Sequence, residues 1–80
     1  MKIQILGMGC PKCQTLESNA KAAVTKAGVD ARVEKISDAD AIADMGVMMT
    51  PALALDGVVK ESGKVLSVDE IVTILRDAQP

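Results

Sequence analysis

Gly9-Cys10-Pro11-Lys12-Cys13 carries both cysteines of an 80-residue chain. Two thiols separated by two residues can close a small disulfide ring or grip a soft metal. An apolar run, Ile3-Gln4-Ile5-Leu6, precedes them, and Gly7-Met8-Gly9 forms a turn between. A helical pattern follows. Cysteines placed there meet the free N–H groups and partial positive charge of a helix N-terminus, which stabilise a thiolate. The thiolate is the form that attacks disulfides and binds metals.

Working outward, the spacing predicts a helix from Pro11 to Ala27. Pro11 suits the first helical position, where its missing N–H costs nothing, and Gly28 is a left-handed stop. Cys13, Leu16, Ala20, Ala23, Val24 and Ala27 recur three and four residues apart and form one apolar stripe. Cys13 lies on the stripe and Cys10 does not. The second sulfur is therefore expected to be buried and the first to lie near solvent. Lys2 to Leu6 reads as a central strand covered on both faces. Val29 to Ile36 alternates apolar and charged residues, the pattern of a half-exposed edge strand. Strand, helix and strand of these lengths make a right-handed βαβ unit.

A short second helix is predicted from Asp38 to Met45, capped by Ser37 or Asp38 and ended by Gly46. Val47-Met48-Met49-Thr50-Pro51 leads into a third strand, Ala52 to Leu55. Asp56-Gly57 is a hairpin turn, and the fourth strand covers Val58 to Glu61. Ser67-Val68-Asp69-Glu70 is a capping box, with Leu66 and Ile71 placed as its hydrophobic staple. The last helix sets Val68, Ile71, Val72, Leu75 and Ala78 on one face. The order is βαβαββα, with no internal repeat or linker, so residues 1–80 are expected to form one domain.

Composition narrows the function. The chain has no Phe, Tyr or Trp, so aliphatic residues and five Met must fill the core. A Cys10–Cys13 ring is too local to staple so small a fold, so the cysteines are read as chemical rather than structural. The net charge of −2, without a basic stripe or stacking aromatics, argues against nucleic acid. The N-terminus enters a strand pattern at once and does not read as a signal peptide. The longest apolar stretch, Met45 to Leu55, falls short of the ~18 residues a membrane span requires. A cytoplasmic protein with a redox or metal-binding CxxC is the expectation.

A CxxC opening the first helix of a βαβ unit, Thr50-Pro51 before the third strand, and a closing hairpin and helix occur together here. In this the chain resembles the thioredoxin/glutaredoxin superfamily, and most closely its small redox-active disulfide proteins. The more specific signal is CPKC together with Gly46-Val47-Met48-Met49-Thr50-Pro51-Ala52-Leu53 and Asp56-Gly57. The resemblance covers essentially the whole chain. It implies an α/β, minimal thioredoxin fold: a four-stranded mixed sheet in the order 2-1-3-4 with helices on both faces. It implies Cys10 as the attacking thiol, Cys13 as the resolving one and Pro51 as a cis-proline facing them. Thr50, with Met49 beside it, would offer its backbone to an extended substrate. Pro11 and Lys12 would tune the thiols, although a lysine on an exposed helix is more often simply solvated. The implied activity is protein-disulfide reduction, with a disulfide reductase as electron donor, by a monomer that needs no cofactor and no metal.

The sequence also departs from the best-known members. Thioredoxins have Trp before the first cysteine and Gly-Pro between the two. The carboxyl group that they bury beneath the site has no counterpart on Ile3 to Leu6, which leaves the proton acceptor of Cys13 unassigned. The Gly-Gly stretch that helps glutaredoxins hold glutathione is missing after Glu61, which argues against that substrate. Two other readings stand beside the enzyme. Met8-Gly9-Cys10-Pro11-Lys12-Cys13 also resembles the metal loop of heavy-metal-associated domains, which would make the chain a Cu(I) or Zn(II) carrier. Those domains run βαββαβ. A non-catalytic redox-sensing domain is the third reading.

Overall fold

The computed structural model describes residues 1–9 and 11–78. The elements are β1 (Lys2–Leu6), α1 (Pro11–Ala27), β2 (Arg32–Ile36), α2 (Ala39–Asp44), β3 (Ala52–Leu55), β4 (Val58–Ser62) and α3 (Val68–Asp77). The sheet runs β2-β1-β3-β4. β1 pairs parallel with β2 and antiparallel with β3, and β3 pairs antiparallel with β4. This is the order that the thioredoxin resemblance implies. A helix, not a strand, follows β2, so the order of the heavy-metal domains is not the one observed.

Each face of the sheet is covered because alternate residues of a strand point to opposite sides. On one side, Ile3 and Ile5 of β1 join Leu53 and Leu55 of β3. α1 and α3 close over them with Leu16, Ala20, Ala23, Ile71, Val72 and Leu75. On the other side, Leu6, Ala52 and Ala54 meet Ile42 of α2 and Val47. Gln4, on the same side of β1 as Leu6, is polar, and its Oε1 accepts from Gly57 N at 2.9 Å. Asp56 fixes the same turn to the start of β1: its N–H donates to Lys2 O, and its Oδ1 accepts from Lys2 N, both at 2.8 Å. The Asp56-Gly57 turn has φ of 50° and 86°, the left-handed pair a tight hairpin requires.

The capping box forms in both directions. Ser67 Oγ accepts from Glu70 N at 3.2 Å, and Glu70 Oε1 accepts from Ser67 N at 3.1 Å. Leu66 and Ile71 are both buried in the main core. Asp38 caps α2 by accepting from Asp40 N.

The second helix, Ala39–Asp44, and the end of β4 at Ser62 differ from the sequence reading by one residue, and two departures go further. The second strand begins at Arg32 rather than Val29. The register of β1 with β2 begins at the pair Lys2–Arg32, and Val29 to Ala31 precede it. Val29 and Ala31 instead pack against the core from the connecting segment. Ala78 does not extend the buried face of the last helix. It is the C-cap and is exposed.

Candidate active site

The site lies where β1 ends, β3 begins, β4 ends and α1 starts. Register brings these together: Leu6 pairs with Ala52, and Ala52 with Ser62. Gly7 then continues β1, with its N–H donating to Ile36 O at 2.9 Å. Gly63 N donates to Pro51 O at 2.8 Å, which ties the end of β4 to the entry of β3.

Cys13 sits in the first turn of α1 and is 5% exposed, as the stripe predicts. Its side chain fits against Gly7. A Cβ at Gly7 would fall inside the envelope of Cys13 Sγ, 3.0 Å from Cys13 Cβ and 4.0 Å from Pro51 Cα. Pro51 is fully buried, and the Thr50–Pro51 bond is cis, as the resemblance implies. Cys13 and Pro51 thus both approach the bare Gly7 backbone. Cys10, the expected attacking thiol, lies outside the described residues. In the chain it directly precedes Pro11, the first residue of α1.

The other expected site residues are on the surface. Pro11, Lys12 and Thr50 are exposed. The first turn of α1 carries no acidic residue. That leaves the N-terminal N–H groups unopposed by a nearby carboxylate, which favours an anion such as a thiolate. Three methionines flank this end: Met8 is 68% exposed, Met48 96% and Met49 64%. Met49 leans on Gly63, with its Cβ and Cε 3.2 and 3.3 Å from where a Gly63 Cβ would stand.

Reading the sequence as a flexible Gly7-Met8-Gly9 turn missed the role of Gly7. Gly9 has φ of 82° and serves the turn. Gly7 is buried, and its requirement is space rather than conformation. The available signal was its place directly after the last residue of β1, where a second glycine is not needed for the turn.

Among the described residues, no group of three or more His, Cys, Asp or Glu is placed to hold a metal ion. No helix of the described residues is long and apolar enough to cross a membrane.

Comparison with known proteins agrees with this architecture. A family model described as a thioredoxin domain matches residues 1–76. A thioredoxin of Methanothermobacter thermautotrophicus is 51% identical over 75 residues, covering 94% of this chain and 97% of that protein. A thioredoxin of Methanocaldococcus jannaschii is 45% identical over 69 residues, covering 86% and 79%. With its sheet order, its cis-proline and a buried cysteine at the start of the first helix, the chain belongs to the thioredoxin-domain family.

Proposed function

We propose that the protein is a thiol–disulfide oxidoreductase that reduces protein disulfides through a Cys10–Cys13 dithiol. The observation that carries this reading is Cys13, buried in the first turn of α1 against Gly7, at the end of β1 that Pro51 also approaches. A thiol held there is shielded from bulk reagents, yet lies three residues from a partner at the helix start. The Cys10 thiolate attacks a substrate sulfur and forms a mixed disulfide, and one substrate thiolate leaves. Cys13 then attacks Cys10, the second substrate sulfur leaves, and a Cys10–Cys13 disulfide remains. A disulfide reductase returns the pair to dithiol.

Docking would use the surface around the site. Thr50 is exposed, and among the described residues no hydrogen bond engages its main chain. An extended substrate segment can pair with it as an added strand. Met8, Met48 and Met49 supply adaptable apolar contact beside it. The names of the two archaeal relatives support this class of activity. One domain acting as a cytoplasmic monomer, without cofactor or metal, fits the same reading.

The test is insulin reduction with dithiothreitol as donor. Wild type should turn over, and Cys10→Ser should abolish turnover. Cys13→Ser should trap the mixed disulfide, visible by mass spectrometry. Equal turnover by wild type and Cys10→Ser would refute the reading.

A further inference from the structure

The second step of this reaction needs a base. A thiol attacks only after losing its proton, and burial favours the neutral form. The chain has no His and no Tyr. Residues 1–9, 11–16 and 45–55 contain no Asp or Glu, and the carboxylate at the end of β4, Glu61, already accepts from Ser62 N at 3.3 Å. Glu17 is the nearest acid to Cys13 along α1, and two routes lead from it toward Cys13.

The first route is α1 itself. Cys13 and Glu17 are i and i+4, so their Cβ atoms stand about 5–6 Å apart on one face of the helix. A helical side chain also leans toward the turn on its N-terminal side, which here is the turn of Cys13. The second route crosses the sheet. Cys13 rests on Gly7, and Gly7 N donates to Ile36 O. The residue before Ile36 is Lys35, whose Nζ is 3.7 Å from Glu17 Oε1. Lys21 Nζ lies 3.8 Å from Glu17 Oε2. At 21% side-chain exposure, Glu17 is the least exposed carboxylate in any ion pair of the described residues. The charged groups facing it are Lys21 from α1 and Lys35 from β2.

We propose that Glu17 accepts the proton of the Cys13 thiol in the step that closes the Cys10–Cys13 disulfide. The proposal rests on the exchange reading above. The proton passes from Cys13 Sγ to the Glu17 carboxylate, directly or across one water, the reach of a general base. The new thiolate bonds to Cys10 Sγ. The bond between Cys10 and the substrate sulfur breaks, and its electron pair leaves on that sulfur. The departing thiolate takes a proton from solvent or back from Glu17. The pair Cys13 and Cys10 is oxidised by two electrons, and the substrate disulfide is reduced by two.

Stopped-flow reaction of the reduced protein with dithionitrobenzoate separates the two steps. The attack of Cys10 releases one thionitrobenzoate, and ring closure by Cys13 releases a second. In Glu17→Gln the first phase should match wild type, and the second should slow roughly 10- to 100-fold at pH 7. That is at or below the usual range of general-base effects, because solvent reaches the partly exposed Glu17. The deficit should shrink as pH rises and hydroxide takes over the deprotonation. Lys35→Met breaks the same ion pair but keeps the carboxylate. It should retain the second phase within a few-fold, and far-UV circular dichroism confirms that both variants fold. A second phase in Glu17→Gln equal to wild type at every pH overturns the proposal. So does a Lys35→Met loss as large as that of Glu17→Gln, which would make the pair structural. If wild type itself shows no second phase, or Cys13→Ser keeps it, the exchange reading fails and the proposal with it.

Discussion

Gly7→Ala tests whether the thiol and the proline are packed as described. The backbone at Gly7 is not in the left-handed region, so alanine meets no conformational penalty there. Its methyl group does meet Cys13: it would overlap Sγ, and it would stand 3.0 Å from Cys13 Cβ. Pro51 Cα at 4.0 Å bounds the space on another side. Gly7 cannot easily withdraw, because its N–H is held by Ile36 O at 2.9 Å. Overpacking of this kind costs about 1–3 kcal/mol. Removing the sulfur alone, by Cys13→Ala, should cost on the order of 1 kcal/mol in lost burial. Simple addition would put the double variant at roughly 2–4 kcal/mol. The structure expects less, because the new methyl group takes the volume the sulfur left. A volume-conserving exchange costs under about 1.5 kcal/mol. Recovery should be incomplete, since the close Cβ–Cβ approach persists. The assay is urea unfolding of all four proteins under reducing conditions. Far-UV circular dichroism is the probe, because the chain has no aromatic residue to report by fluorescence. A coupling of at least ~0.5 kcal/mol between the two sites is the expected result. Additive costs, or a Gly7→Ala protein as stable as wild type, would show that the sulfur does not occupy this space.

Two further predictions concern the start of α3. Ser67→Ala removes the hydroxyl that accepts from Glu70 N, and loss of such a cap should cost about 1 kcal/mol, or roughly 4–8 °C in Tm. An unchanged Tm would mean that the cap contributes nothing. Glu70 is held below its ordinary value, first by the hydrogen bond with Lys64 and then by those with Ser67. A carboxyl group lowered on folding stabilises the protein above its unfolded value and loses that contribution as pH falls through its folded one. Glu70→Gln should therefore be less stable than wild type at pH 7, and the gap should close as pH falls below about 4.5. A gap of equal size at pH 7 and pH 3, measured by urea unfolding, would exclude the charge as its source.

The sequence by itself determined the order of the elements and the character of each. Those signals are local. A stripe through Cys13, Leu16 and Ala20 needs only the helical period, and Ser67 to Glu70 needs only one turn of chain. Asp56-Gly57 makes its turn through the φ values those two residues accept. The burial of Cys13 followed from the same period. The cis bond before Pro51 did not follow from local chemistry, which favours trans; the family resemblance supplied it. What only the tertiary structure decided depends on register and docking between distant segments. The second strand starts at Arg32 because its register with β1 begins at the Lys2–Arg32 pair. Gly7 must be bare because the end of β1 meets a helix that begins four residues later and a strand that begins beyond residue 50. Glu17 and Lys35 read in sequence as two unrelated surface charges. They meet because α1 crosses beside β2. Local periodicity shows which face of an element is buried. Which residue lies opposite is fixed only when the elements pack.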